Sequence, residues 1–91
     1  MKYLKLNNEE ILEGYIINFI ILNDNTYLNK AKTYAELLSK NYGKTRVNNN
    51  LSLVKEPKNG LTYITIYYKG NKICTYKYTL ELFEINYTKN I

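Results

Sequence analysis

Apolar positions along this chain change their spacing twice. After Asn7-Asn8-Glu9-Glu10, the residues Leu12, Tyr15, Ile16, Phe19 and Leu22 recur at helical intervals, and Ile17, Ile20 and Ile21 widen the same stripe. Asn7 and Glu10 stand three apart in the form of a capping box, which predicts that a core helix starts there. Gly14 and the β-branched run from Ile16 to Ile21 argue for a strand instead.

The cluster Asn23-Asp24-Asn25-Thr26 breaks the stripe and supplies N-caps for a second helix. Its apolar side is Tyr27, Ala31, Tyr34, Ala35, Leu38 and Tyr42, with Lys30, Lys32, Glu36 and Lys40 opposite. Lys40 and Lys44 fall where cations complement a helix C-terminus, and Gly43 is the expected left-handed cap. Neither helix is long enough to stand alone, so the αα-hairpin they form needs a sheet or a partner over its apolar face.

Beyond Asn48-Asn49-Asn50 the period becomes two. Leu51 to Glu56 reads as a strand closed by Pro57-Lys58-Asn59-Gly60, Leu61 to Tyr68 as the next, and the chain returns from Ile73 after a turn at Gly70-Asn71. With Lys69 opposite Lys72, the pairs Tyr67–Cys74, Thr65–Tyr76, Tyr63–Tyr78 and Leu61–Leu80 share one face. Tyr68–Ile73, Ile66–Thr75 and Ile64–Lys77 share the other, which turns to Thr62, Thr79 and Glu81 at one end. The opening Met1 to Leu6 alternates weakly, as a short edge strand would, and Asn86 to Ile91 reads as a frayed end. The expected architecture is therefore α+β, an αα-hairpin on a three- or four-stranded antiparallel sheet in the order β-α-α-β-β-β. Residues 1–91 form one domain. A hairpin covers only one face of such a sheet, so the other meets solvent or a partner.

Composition qualifies this picture. The net charge of +5 favours an anionic partner. Yet 12 Lys, 14 Asn, 10 Ile and 11 Tyr make up 47 of the 91 residues, all with codons built largely of A and T, so base composition explains much of the bias. A single arginine, Arg46, is few for a reader of phosphates or bases. One cysteine, Cys74, closes no intramolecular disulfide, and between tyrosines on a strand it reads as structural rather than reactive. The run Tyr15 to Leu22 is too short to span a bilayer, and acidic residues separate Lys2 and Lys5 from it, unlike a signal peptide; a bacterial cytoplasmic setting is expected.

Without histidine, and with Asp24 as the single aspartate, the chain holds none of the common nucleophilic triads. Zinc ligands are lacking, the carboxylates are too scattered to suggest a metal cage, and four glycines write no phosphate loop; no cofactor is expected. Glu9 with Glu13, and Glu81 with Glu84, read as solvated faces. One enzymatic reading follows from element order: β-α-α-β-β-β in a basic chain of this size resembles the RelE/ParE-type toxins. That resemblance implies mRNA cleavage by Lys, Arg and Tyr side chains, for which Lys69, Lys72, Lys77 and Tyr78 are the nearest candidates, although the arginine run of such sites is missing here.

The richest feature is the set Tyr63, Tyr67, Tyr76 and Tyr78, flanked by Lys69, Lys72 and Lys77. Such rings can pack beneath the helices, anchor a protein interface, or stack the bases of RNA or single-stranded DNA while lysines follow the phosphates. A small, cofactor-free chain of AT-rich composition fits a phage or mobile-element accessory protein. Among these, inhibitors of host defence complexes, anti-CRISPR proteins included, act by covering a surface. The expected function is thus non-catalytic binding to a host or phage protein complex, with single-stranded nucleic acid as the alternative ligand and no membrane partner. Mimicry of DNA would need negative charge.

Overall fold

The computed structural model describes residues 7–78. They form two helices, α1 (Asn8–Leu22) and α2 (Asn25–Leu38), followed by four strands, β1 (Gly43–Arg46), β2 (Leu51–Lys58), β3 (Leu61–Tyr68) and β4 (Asn71–Lys77). The strands pair antiparallel in chain order, and the αα-hairpin packs on one face of that sheet, an α+β fold as expected. The order is α-α-β-β-β-β. The edge strand expected over residues 1–6 lies outside the described residues, as do Thr79, Leu80, Glu81, Glu84 and the tail 86–91.

The helix starts follow from their caps. Asn7 accepts from the Glu10 amide at 2.8 Å and Glu10 accepts from the Asn7 amide at 3.2 Å, a complete capping box. Asn23 ends α1 in the left-handed region, and Asp24 at once caps α2 by accepting from the Thr26 amide at 2.9 Å. That bond holds the Asp24 carboxyl below its ordinary range.

Three expectations about the helices fail. The stripe on α1 is narrower than its sequence suggests: Leu12 and Ile16 are buried, whereas Ile20, Ile21 and Leu22 are 49–70% exposed. α2 stops at Leu38, with the Ser39 amide donating to the Ala35 carbonyl, so Tyr42 lies outside the helix and is exposed. Gly43 and Lys44 accordingly belong to β1, not to a helix cap. Gly-Lys-Thr-Arg carries no apolar alternation, so nothing local marks it as a strand; the exposed edge of β2 and the turn before it create it. In that turn Asn48 Oδ1 accepts from the amides of Asn50 and Leu51, and the Glu13 carboxylate accepts from the side-chain amides of Asn48 and Asn50, tying α1 to the β1–β2 connection.

Both remaining hairpins have two-residue turns with positive φ at each position. Asn59 (54°) with Gly60 (80°) joins β2 to β3, and Lys69 (51°) with Gly70 (82°) joins β3 to β4. β2 continues through Pro57 to Lys58. Proline is tolerated there because β1 reaches only as far as Lys55, leaving that stretch without a neighbour on one side among the described strands.

The β3–β4 register differs from the one expected. Turning at Lys69-Gly70 rather than Gly70-Asn71 shifts the pairing by two, which keeps every side chain on its face. A bulge then inserts Ile73 opposite the Ile66–Tyr67 step, and one extra residue reverses the faces beyond it. The pairs become Ile66–Cys74, Thr65–Thr75, Ile64–Tyr76 and Tyr63–Lys77.

The core consequently takes Leu51 and Leu53 from β2, Ile64 and Ile66 from β3 and Tyr76 from β4, roofed by Leu12 and Ile16 of α1 and Ala31 and Ala35 of α2. Each fully buried Leu or Ile contributes about 1.5–3 kcal/mol. The two alanines let α2 approach the sheet closely, and Glu36, expected on its solvated side, is buried facing the Tyr76 phenol.

Candidate binding face

The face of the sheet away from the helices is built by alternate residues of all four strands. Lys44 and Arg46 come from β1, Ser52, Val54, Glu56 and Lys58 from β2, Leu61, Tyr63, Thr65 and Tyr67 from β3, and Lys72, Thr75 and Lys77 from β4. Five of the chain's 13 cationic residues stand here with one of its 8 acidic residues. Among the described residues this face therefore carries a net of four positive charges. The described cations divide evenly between this face and the rest of the molecule; it is the carboxylates, five of the six described, that lie elsewhere.

Tyr63 and Tyr67 sit half-buried on the central strand, each with lysine directly across on β4: Lys77 opposite Tyr63 and Lys72 opposite Tyr67. On the β2 side Lys58 Nζ lies 6.0 Å from the Tyr63 ring centroid. Between the rings, Thr65 and Thr75 share a hydroxyl hydrogen bond of 2.9 Å, so the floor is polar but internally satisfied. A groove of about 450 Å³ runs past Glu56, Pro57, Lys58, Tyr63, Thr65, Tyr67, Lys72 and Thr75. A second, of about 330 Å³, lies on the other side of Tyr67 against Lys44, Ser52 and Val54. Tyr67 is the wall between the two grooves.

Only part of the expected tyrosine set belongs here. Tyr63, Tyr67, Lys72 and Lys77 come together, while Lys69 sits in the β3–β4 turn with its Nζ 5.5 Å from the Tyr68 ring. Tyr76 and Tyr78 turn to the other face, because the bulge at Ile73 reverses the phase of β4. Tyr76 donates its phenol to the Lys32 carbonyl at 2.9 Å beneath the Lys32 ammonium. Burial, reinforced by Glu36, pushes that phenol far above the ordinary tyrosine range, so it stays protonated. Tyr78 lies under Lys55, a buried lysine whose ammonium sits 4.4 Å from the Tyr78 centroid and 5.0 Å from that of Tyr42. Tyr78 thus stands on the face opposite Lys72 and Lys77, and the four residues named for an RNA-cleaving centre do not converge.

Cys74 points to the core side, half-buried, and burial raises its thiol pKa, which disfavours the nucleophilic thiolate. Sequence reasoning missed Lys44, Arg46 and Lys58. The first two belong to a strand without an apolar signal, whereas Lys58 was readable once β2 is continued in phase past Pro57. No described helix is long and apolar enough to cross a membrane. No family model, curated protein or solved structure gives a significant match to this chain.

Proposed function

We propose that this chain is a non-catalytic binding protein and that its contact surface is the open face of the sheet, directed at an anionic macromolecule. The observation that carries the reading is the concentration of positive charge there, five cations against Glu56, around two half-exposed tyrosines. A basic, low-relief face attracts anions over a Debye length, and aromatic bodies supply contact area once the partner arrives. Retention on a heparin or polyglutamate column tests it. K72E/K77E, on the open face, should elute at markedly lower salt than K30E/K40E, which changes charge equally on the helical side. Equal elution of the two variants would reject the reading.

A second reading is that the partner is an acidic protein surface, as for a phage inhibitor covering a host defence complex. Tyr67, standing between two grooves, is a rigid amphipathic side chain of the kind that anchors protein interfaces.

A further inference from the structure

We infer that the ligand of the open face is single-stranded nucleic acid, with bases stacked on Tyr63 and Tyr67 and phosphates held by Lys58, Lys72 and Lys77. This inference rests on the proposal that the open face is the contact surface, and it names the ligand class.

The argument for nucleic acid over protein starts from side-chain type. The desolvated centre of a protein interface is depleted in lysine and serine and enriched in apolar and aromatic groups. Here the aliphatic members are Val54 and Leu61, and the rest of the face is lysine, arginine, threonine, serine and tyrosine with a single carboxylate, Glu56, across from Tyr63 on β2. Lysine beside every ring is what an unpaired strand asks for: a π-face for each base and a cation for the phosphate next to it. Cross-strand pairing provides this arrangement twice, as Tyr63 with Lys77 and Tyr67 with Lys72.

Spacing extends the argument. Four residues along a strand separate the two rings by about 13 Å. One base cannot touch both, so each ring takes its own base, and the groove of about 450 Å³ between them passes over Thr65 and Thr75. Duplex binding is disfavoured by shape. Reading a B-form major groove takes a protruding helix or β-ribbon, but α1 and α2 pack on the opposite side and the open face is a sheet. A sheet offers rings to bases that are not already stacked on their neighbours.

The test is fluorescence anisotropy of labelled 12-nucleotide oligo-U and oligo-dT, and of a duplex of equal length, titrated with the full chain at several salt concentrations. Binding of the single strands is expected, weaker for the duplex, with log K falling against log salt and the slope shrinking by about 0.7 for each of Lys72 and Lys77 replaced by Ala. Tyr63→Ala and Tyr67→Ala should each weaken binding about 5- to 150-fold without changing that slope. Tyr63→Phe and Tyr67→Phe keep the ring and should keep the affinity, which separates stacking from a lost hydroxyl or a folding defect. Absent binding at 50 mM salt, equal duplex affinity, or binding that survives both Ala variants would each overturn the inference. If retention on polyglutamate still depends on Lys72 and Lys77 in that event, the face is a contact surface for an acidic protein instead. If neither ligand depends on the face, both proposals fall.

Discussion

Ile66 and Tyr67 are neighbours on β3, and the contrast between them is the contrast between the two sides of this protein. Ile66 is fully buried beneath the helices, paired with Leu53 and Cys74. Tyr67 looks out between Ser52 and Lys72, with a groove on either side. On the covered side tyrosine serves structure: Tyr76 ties β4 to α2 through the Lys32 carbonyl, and Tyr78 lies against the buried ammonium of Lys55. On the open side the same residue type has no described helix above it and stands among cations. One residue type thus has two roles, and a single inserted residue in β4 determines which tyrosine takes which.

Truncating Tyr76 is the strongest way to test that division. Tyr76→Ala removes a buried ring from the covered side together with its hydrogen bond to the Lys32 carbonyl. The cavity should cost roughly 3–5 kcal/mol, a large share of the stability of a domain this size, visible as an early or absent cooperative transition in urea. A variant that melts like the parent would show that Tyr76 is not part of the core.

Neighbouring substitutions on β3 sharpen the comparison. Ile66→Ala should cost about 2–5 kcal/mol through a cavity that the surrounding core fills only in part. Tyr67→Ala should cost no more than about 1 kcal/mol and act instead on binding. Thermal unfolding of the two variants side by side gives the answer: comparable losses would mean that Tyr67 is a core residue.

The smallest effect separates the buried phenol from the exposed ones. Tyr76→Phe removes the hydrogen bond to Lys32 and should cost about 1 kcal/mol near neutral pH. It should also change the alkaline limb of stability. The folded-state pKa of Tyr76 is raised, so its protonated form favours folding; that contribution is complete below the unfolded value of about 10 and is lost as pH rises beyond it. The stability gap between parent and Tyr76→Phe should therefore narrow above about pH 10 when unfolding is followed by circular dichroism. A gap that stays constant there would contradict the burial of this phenol.

Several parts of this arrangement were legible in the amino-acid order. The capping box at Asn7 and Glu10 and the Asp24 N-cap are chemistry between near neighbours and appear in the structure as read, and the Pro57–Gly60 turn signal is met by a tighter turn at Asn59-Gly60 after β2 runs on to Lys58. The phase of β4 was not legible in the same way: Ile73, Thr75 and Lys77 alternate with Cys74, Tyr76 and Tyr78 as in a regular strand, and the bulge is set by pairing with β3. The Lys69-Gly70 turn was harder to see, because lysine is an uncommon residue for its positive φ.

What the sequence determined by itself was thus the existence and kind of most elements, since hydrogen bonds between near neighbours and periodicity are local. Tertiary structure decided which tyrosines are covered, that Gly43–Arg46 becomes a strand, and that Ile20, Ile21 and Leu22 remain exposed while Glu36 is buried. Each of those outcomes depends on which residue lies across a strand or beneath a helix. A shift of one residue, which costs the local pattern almost nothing, moves a side chain from the core to the open face.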